Sequence, residues 1–241
     1  MATIAAPVRS TISKDRIFFP SMCVLILATV WLGFSKTYYA AGMVRAHLPS
    51  PIIHVHAAIF SLWLVTLAVQ TGLIGAKKVQ LHRKLGLWGF GLAACMVVVG
   101  LMAGTDALRR GMSPPGSGLD PKVFYIVPVS GILLFGVLVG WACIARRRPV
   151  EHKRLIMFAS LSILDAAIGR FPYTIAPMGP LTLNLILIAM LLPMFAYDLA
   201  TLKKINRVTI VSSLLIVLLL FTRIPLGMTY PWLKFAAFMR G

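Results

Sequence analysis

Continuous apolar blocks, each about as long as a bilayer is thick, limit what this chain can fold into more than any other feature. A hydrocarbon core of ~30 Å takes about 20 helical residues to cross. Blocks of that size run approximately over 17–35, 52–74, 85–105, 123–145, 155–173, 181–200 and 208–225. They are continuous rather than alternating, which argues against a β-barrel. The chain is 59% hydrophobic and only 12% charged, whereas a soluble domain carries about 25% charged residues. The expected fold is an all-α, polytopic membrane helical bundle of about seven transmembrane helices, forming a single domain over residues 1–241.

The blocks differ in polarity. The third and fourth carry no charge, the fifth contains Asp165 and Arg170, and the seventh is short and interrupted by Arg223 and Pro225. Charge distribution supports keeping all seven. Fifteen Lys and Arg residues fall in the N-terminal arm and the second, fourth and sixth loops, against seven on the other side. The positive-inside rule then predicts a cytoplasmic N-terminus and an outside C-terminus. Removing the fifth or seventh block would move a basic loop to the wrong side. The first block follows basic residues as a signal peptide does, but it is longer than an h-region and reads as an uncleaved anchor. The longest loop, about 106–122, contains Pro-Pro-Gly-Ser-Gly and is expected outside.

The net charge is +18. In a soluble chain this would point to nucleic acid. Here the cations sit between apolar blocks and no aromatic-interleaved basic motif occurs, so the expected partner is the lipid bilayer and nucleic acid is excluded. Cys23, Cys95 and Cys143 lie in three different blocks without a C-x-x-C pair and read as embedded core residues, not as a metal site.

Polar residues at membrane depth are expensive and mark functional candidates. Ser50-Pro51 predicts a helix start, with Ser as N-cap and Pro at the first position. His54 and His56 follow in the first turns. Two residues apart on a helix they lie roughly 200° apart and cannot chelate one metal together. His56, Trp63 and Gln70 recur every seven residues on one stripe, whereas His54, Ala58 and Ser61 form another. Asp165 lies eleven residues past Arg154, about 16 Å deeper at ~1.5 Å per residue. Arg170 and Arg223 lie in the outer third of their spans. An unpaired buried ion is costly, so Asp165 is expected to pair with an arginine or to accept hydrogen bonds. With Asn184 and Gln70 these residues define a candidate outer polar pocket for an anionic or quinone-like headgroup.

At the cytoplasmic mouths of spans three and five stand His82 and His152. Two basic loops end alike there, Leu-His82-Arg-Lys-Leu-Gly and Glu-His152-Lys-Arg-Leu-Ile, a trace of duplication. Histidines at equal depth on alternate helices can ligate one haem b, with adjacent Arg and Lys neutralising the propionates.

The sequence order is an outward-face His opening one span, then Gln70, His82-Arg83-Lys84-Leu85-Gly86, His152-Lys153-Arg154 and Arg170. It resembles an uncharacterised bacterial family of multi-pass membrane proteins, a domain of unknown function. The resemblance covers roughly residues 50–175, four of seven spans. It implies a bacterial inner-membrane location and brings no established activity. The chain is also similar, more weakly, to four-helix diheme b-type transmembrane cytochromes, which carry ligand histidines on four consecutive helices. In that comparison His82 and His152 match the inner pair, and His54 or His56 half of the outer pair. Span four, residues 123–145, has no histidine, so the comparison implies at most one bis-histidine haem.

Three functions follow as expectations. The first is a redox-linked membrane protein holding one haem b or a quinone. The second is an accessory or assembly subunit working with other membrane-protein subunits, since no nucleotide motif, nucleophile elbow or H-E-x-x-H occurs. The third is a transporter or membrane enzyme for a lipid-like or anionic molecule. No catalytic residue is assigned, and span seven has no lysine for a retinal Schiff base.

Overall fold

The computed structural model describes residues 8–113, 118–171 and 179–241. Among them the regular structure is helical: α1 Val8–Phe34, α2 Pro51–Gly75, α3 Val79–Arg109, α4 Pro121–Phe124, α5 Ile126–Ile144, α6 Pro149–Ser162, α7 Asp165–Ile168, α8 Pro180–Leu202, α9 Arg207–Gly227 and α10 Tyr230–Arg240. The Pro-Pro-Gly-Ser segment 114–117 and the end of the fifth apolar block, beyond Phe171, lie outside the described residues.

Six helical stretches are long and apolar enough to cross a membrane: Lys14–Tyr39, Pro51–Gly75, Val79–Arg109, Pro121–Arg147, Leu181–Leu202 and Arg207–Gly227. The fifth apolar block is different. α6 has 14 residues, of which eight are buried, so it is the centre of the bundle and not a lipid-facing wall. At ~1.5 Å per residue it is about 21 Å long. It ends at Ser162, and α7 starts at Asp165. The local cause is side-chain competition for backbone groups. Ser162 Oγ donates to the Ala159 carbonyl at 2.8 Å, and Asp165 Oδ1 accepts from the Ala166 N–H at 2.7 Å.

The outer surface is apolar, unlike that of a water-soluble protein, and a few charged and polar side chains are fully buried. Trp88, Ile144 and Leu87 are 79%, 74% and 67% exposed, whereas Arg154, Asp198 and Thr209 are at most 1% exposed. Such an apolar exterior, over an apolar core that encloses a few paired polar groups, suits lipid as the surrounding solvent. The cysteines divide: Cys23 is buried as expected, Cys143 is half-buried and Cys95 is exposed. Cys95 therefore lies on the outer wall, not in the core, because it leaves α3 on a different side from the buried Ala93 and Met96 of the same turn.

The buried charges tie the helices together at the end where the basic loops gather, here called the basic end. Arg154 of α6 is hydrogen-bonded to Asp198 of α8 through its Nε at 2.8 Å and also through Nη2. The second Asp198 oxygen accepts from Thr209 Oγ1 at 2.6 Å and from the Asn206 N–H at 2.8 Å. One carboxylate thus fixes α6, α8 and the start of α9. Beside it, Lys153 Nζ bonds Asp15 of α1 at 2.6 Å and Tyr197 of α8 at 2.9 Å.

Two expectations about helix ends change. Ser50 precedes Pro51 in extended geometry, but its side chain makes no capping hydrogen bond; the Ile53 N–H bonds the Ser50 carbonyl instead, at 3.1 Å. Arg223 and Pro225 do not interrupt the last long helix, which continues to Gly227. Pro225 removes one N–H donor in the final turn, and the helix closes two residues later at Gly227.

Candidate functional site

His82 lies in the first turn of α3 and His152 in the first turn of α6, both at the basic end. Their ring centroids are 6.4 Å apart, with planes at 79°. Seventy residues of chain separate them; the α2–α3 and α5–α6 hairpins bring them together. His152 Nδ1 lies 2.9 Å from the Ala142 carbonyl, which orients the ring with Nδ1 as donor and leaves Nε2 available. His82 Nδ1 is buried with no hydrogen-bond partner among the described residues. Phe90 closes one side, its ring 6.3 Å from that of His152.

Gln70 belongs to this end. Its Nε2 donates to the His82 carbonyl at 3.2 Å, so it is not part of the pocket around Asp165. The seven-residue stripe on α2 explains the difference: it faces the core along the whole helix, and Gln70 is at the opposite end of it from His56. Midway, Trp63 is 4% exposed and its Nε1 donates to Ser160 Oγ of α6 at 3.2 Å.

The other end of the bundle, here called distal, holds the second cluster. Asp165 of α7 accepts from Arg223 Nη1 of α9 at 2.5 Å, with the two side chains 20% and 11% exposed. Arg223 is fourteen residues beyond Thr209 on α9, a rise of about 21 Å, against about 16 Å from Arg154 to Asp165. Helical side chains tilt towards the N-terminus, so Arg223 reaches back to meet the carboxylate.

Arg170 follows α7. Its Nη1 donates to the Ala166 carbonyl at 2.6 Å, and its guanidinium lies 4.7 Å over the Phe34 ring. An electrostatic interaction couples it to His56 and another to Asp165. His56 stacks on Phe60, centroids 3.9 Å apart, and its Nδ1 is buried without a partner among the described residues. The approach of α1 to α7 sets this geometry. A Cβ built on Gly33 would lie 2.3 Å from the Ala167 carbonyl oxygen, so only glycine lets the two backbones come so close. α1 then ends in a π turn, Ser35–Tyr39, which carries the Tyr39 hydroxyl to 3.0 Å from Ser61 Oγ.

Two expected members stand apart. Asn184 of α8 donates to the Leu220 carbonyl of α9 at 3.4 Å, a helix-to-helix contact. His54 has a buried, unpartnered Nδ1, but it is on the α2 face turned away from the His56 stripe. Sequence reasoning missed Asp198, the buried partner of Arg154. The signal was present, because Asp198 is an acid inside the sixth apolar block.

Comparison of the chain with protein-family models, with curated proteins and with solved structures gave no match.

Proposed function

We propose that this chain is a redox-linked, multi-pass membrane protein that holds one b-type haem between His82 and His152. The observation that carries the reading is the spacing of the two rings. Imidazoles on opposite sides of one metal, each bonded at about 2 Å, have centroids roughly 6 Å apart; at adjacent tetrahedral corners they come closer, to roughly 5 Å. The separation of 6.4 Å matches the opposed arrangement. Haem iron takes four nitrogens from its own porphyrin, so two imidazoles complete it. A bare ion needs more protein donors than two imidazoles.

The surroundings support the same group. The Ala142 carbonyl holds His152 in the tautomer whose Nε2 can ligate, as carbonyls and carboxylates do at metal sites. Arg83, next in sequence to His82, offers a guanidinium to a propionate. Haem, when bound, supplies one-electron chemistry. By the positive-inside rule the basic end faces the cytoplasm and the chain crosses seven times, with α6 and α7 as the fifth crossing. A bacterial inner membrane is the location that the family resemblance implies. A quinone headgroup is the alternative occupant, held by imidazole N–H groups rather than by ligation.

Haem titrated into the purified protein in detergent should bind at one equivalent with a sharp, low-spin Soret band. His152→Gly should lose the low-spin band and regain it with added imidazole. If His82→Ala and His152→Gly both bind haem as the wild type does, the reading fails. A quinone occupant would give no Soret band.

A further inference from the structure

The last helix does not cross. α10 has 11 residues, a length of about 16 Å against a hydrocarbon core of ~30 Å. Near each of its ends it is tied to the terminus of a membrane-length stretch. Trp232 Nε1 donates to the carbonyl of Lys122, in α4, at 2.8 Å. The Met239 carbonyl accepts from Nε of Arg109, the last residue of α3, at 3.3 Å. Those two termini stand at one level, because a turn further in the Thr105 and Tyr125 hydroxyl oxygens are 2.8 Å apart. The end of α9 meets the same level: a Cβ built on Gly227 would lie 2.9 Å from the Val123 carbonyl oxygen. A helix anchored at one level through both ends runs across the distal end of the bundle, not outward from it.

The two sides of α10 differ. Ala236 is buried with Leu108 and Tyr125, and Trp232 and Met239 pack on the same group. Tyr230, Lys234 and Phe238 recur every four residues and share a stripe on the other side, flanked by Pro231 and Phe235. Tyr230 and Phe238 are 76% and 81% exposed and Phe235 44%; Lys234 is exposed with them. Three exposed rings around one cation make a poor surface for water. We propose that this face is seated in the boundary between headgroups and acyl chains of a phospholipid layer, with α10 lying flat in the membrane plane. The placement rests on the membrane reading of the long helices. Aromatic rings concentrate at that boundary, and a lysine among them carries its ammonium up to a lipid phosphate. Phospholipid thus supplies both complements, acyl chain for the rings and phosphate for the cation. α10 contains no acidic residue, so the same face of a second copy would bring only like charge.

Nitroxide labels read the depth of this face. The full chain, with Cys23, Cys95 and Cys143 replaced by alanine, is reconstituted in phospholipid liposomes. Labels at Tyr230→Cys and Phe238→Cys are compared with one at Val98→Cys, exposed on α3, and one at Lys204→Cys, exposed after α8. Power saturation by oxygen and by a water-soluble nickel complex gives the depth of each. We expect both α10 labels about 5–10 Å below the phosphates and level with each other, Val98 deeper and Lys204 in water. An upright helix would separate the two α10 labels by about 12 Å, and that result overturns the flat placement. Water access at Phe238 equal to that at Lys204 overturns it too, as does a Phe238 label shielded from both reagents, the mark of a protein partner or a second copy. If Val98 is water-accessible, the membrane reading has failed and this placement with it; lipid depth at Val98 with water at Phe238 strikes α10 alone. Should the cysteine-replaced chain not be monodisperse, p-benzoylphenylalanine in place of Phe238 in the otherwise unchanged chain, irradiated in phospholipid nanodiscs, decides by intact mass. A phospholipid adduct supports the placement; a cross-linked chain dimer, or no lipid adduct, overturns it.

Discussion

Arg154 is the residue whose environment departs furthest from its place in the sequence. It closes a run of loop cations, yet it is 1% exposed and bonded to an equally buried Asp198. Removing one member of such a pair leaves an uncompensated charge and costs about 3–5 kcal/mol. Arg154→Met should lower unfolding stability in detergent by that order. Arg154→Met combined with Asp198→Asn should cost clearly less than the sum of the two single changes, with a coupling above about 1 kcal/mol; strict additivity would mean that the pair is not buried as described. Gly33 gives a second test at this scale. Gly33→Ala forces its Cβ against the Ala167 carbonyl and should destabilise by about 1–3 kcal/mol, as overpacking does. Gly91→Ala meets nothing within 4 Å and should be neutral or stabilising by less than about 1 kcal/mol. Thermal unfolding of the two variants side by side checks both.

At the scale of helices, α2 was the most legible element. The repeat of His56, Trp63 and Gln70 announces one face, and that face packs on α6 through the Trp63–Ser160 hydrogen bond. What the repeat does not carry is which end cluster each member joins, so the pattern alone does not separate Gln70 from the residues around Asp165. The partner of Asp165 was legible only as a class, because an intramembrane carboxylate demands a cation. That Arg223 is the partner, and Arg170 not, depends on how α7 and α9 cross, which no local pattern encodes. The break between α6 and α7 was likewise hidden: an apolar block reads as continuous whether or not Ser162 and Asp165 divert backbone hydrogen bonds. α10 leaves no span-length signal in the sequence, because its 11 residues are too few to span and its Tyr230, Phe235 and Phe238 are exposed. It packs on the bundle through buried Ala236 and through the Trp232 Nε1 bond to the Lys122 carbonyl at 2.8 Å.

For the whole molecule, block length and continuity were enough for an all-helical, membrane-type architecture. Six long helices follow directly, whereas the seventh crossing depends on a divided and buried segment. That count has a consequence for the chain ends. With seven crossings the C-terminus lies opposite the N-terminus, and an alkaline phosphatase fused after Gly241 should be active outside while one fused within residues 76–78 should be inactive. Activity at 76–78 and none at Gly241 would invert the orientation, and inactivity at both would leave six crossings.

The central claim concerns the pair of histidines that the two hairpins bring together, and it has one direct measurement. The pyridine haemochrome spectrum of protein purified from a haem-replete host counts b-type haem per chain. The account predicts close to one haem per wild-type chain, and a loss of most of it in both His82→Ala and His152→Ala at unchanged protein yield. Haem-free wild-type protein from the same host, or variants that retain the wild-type haem content, would contradict it.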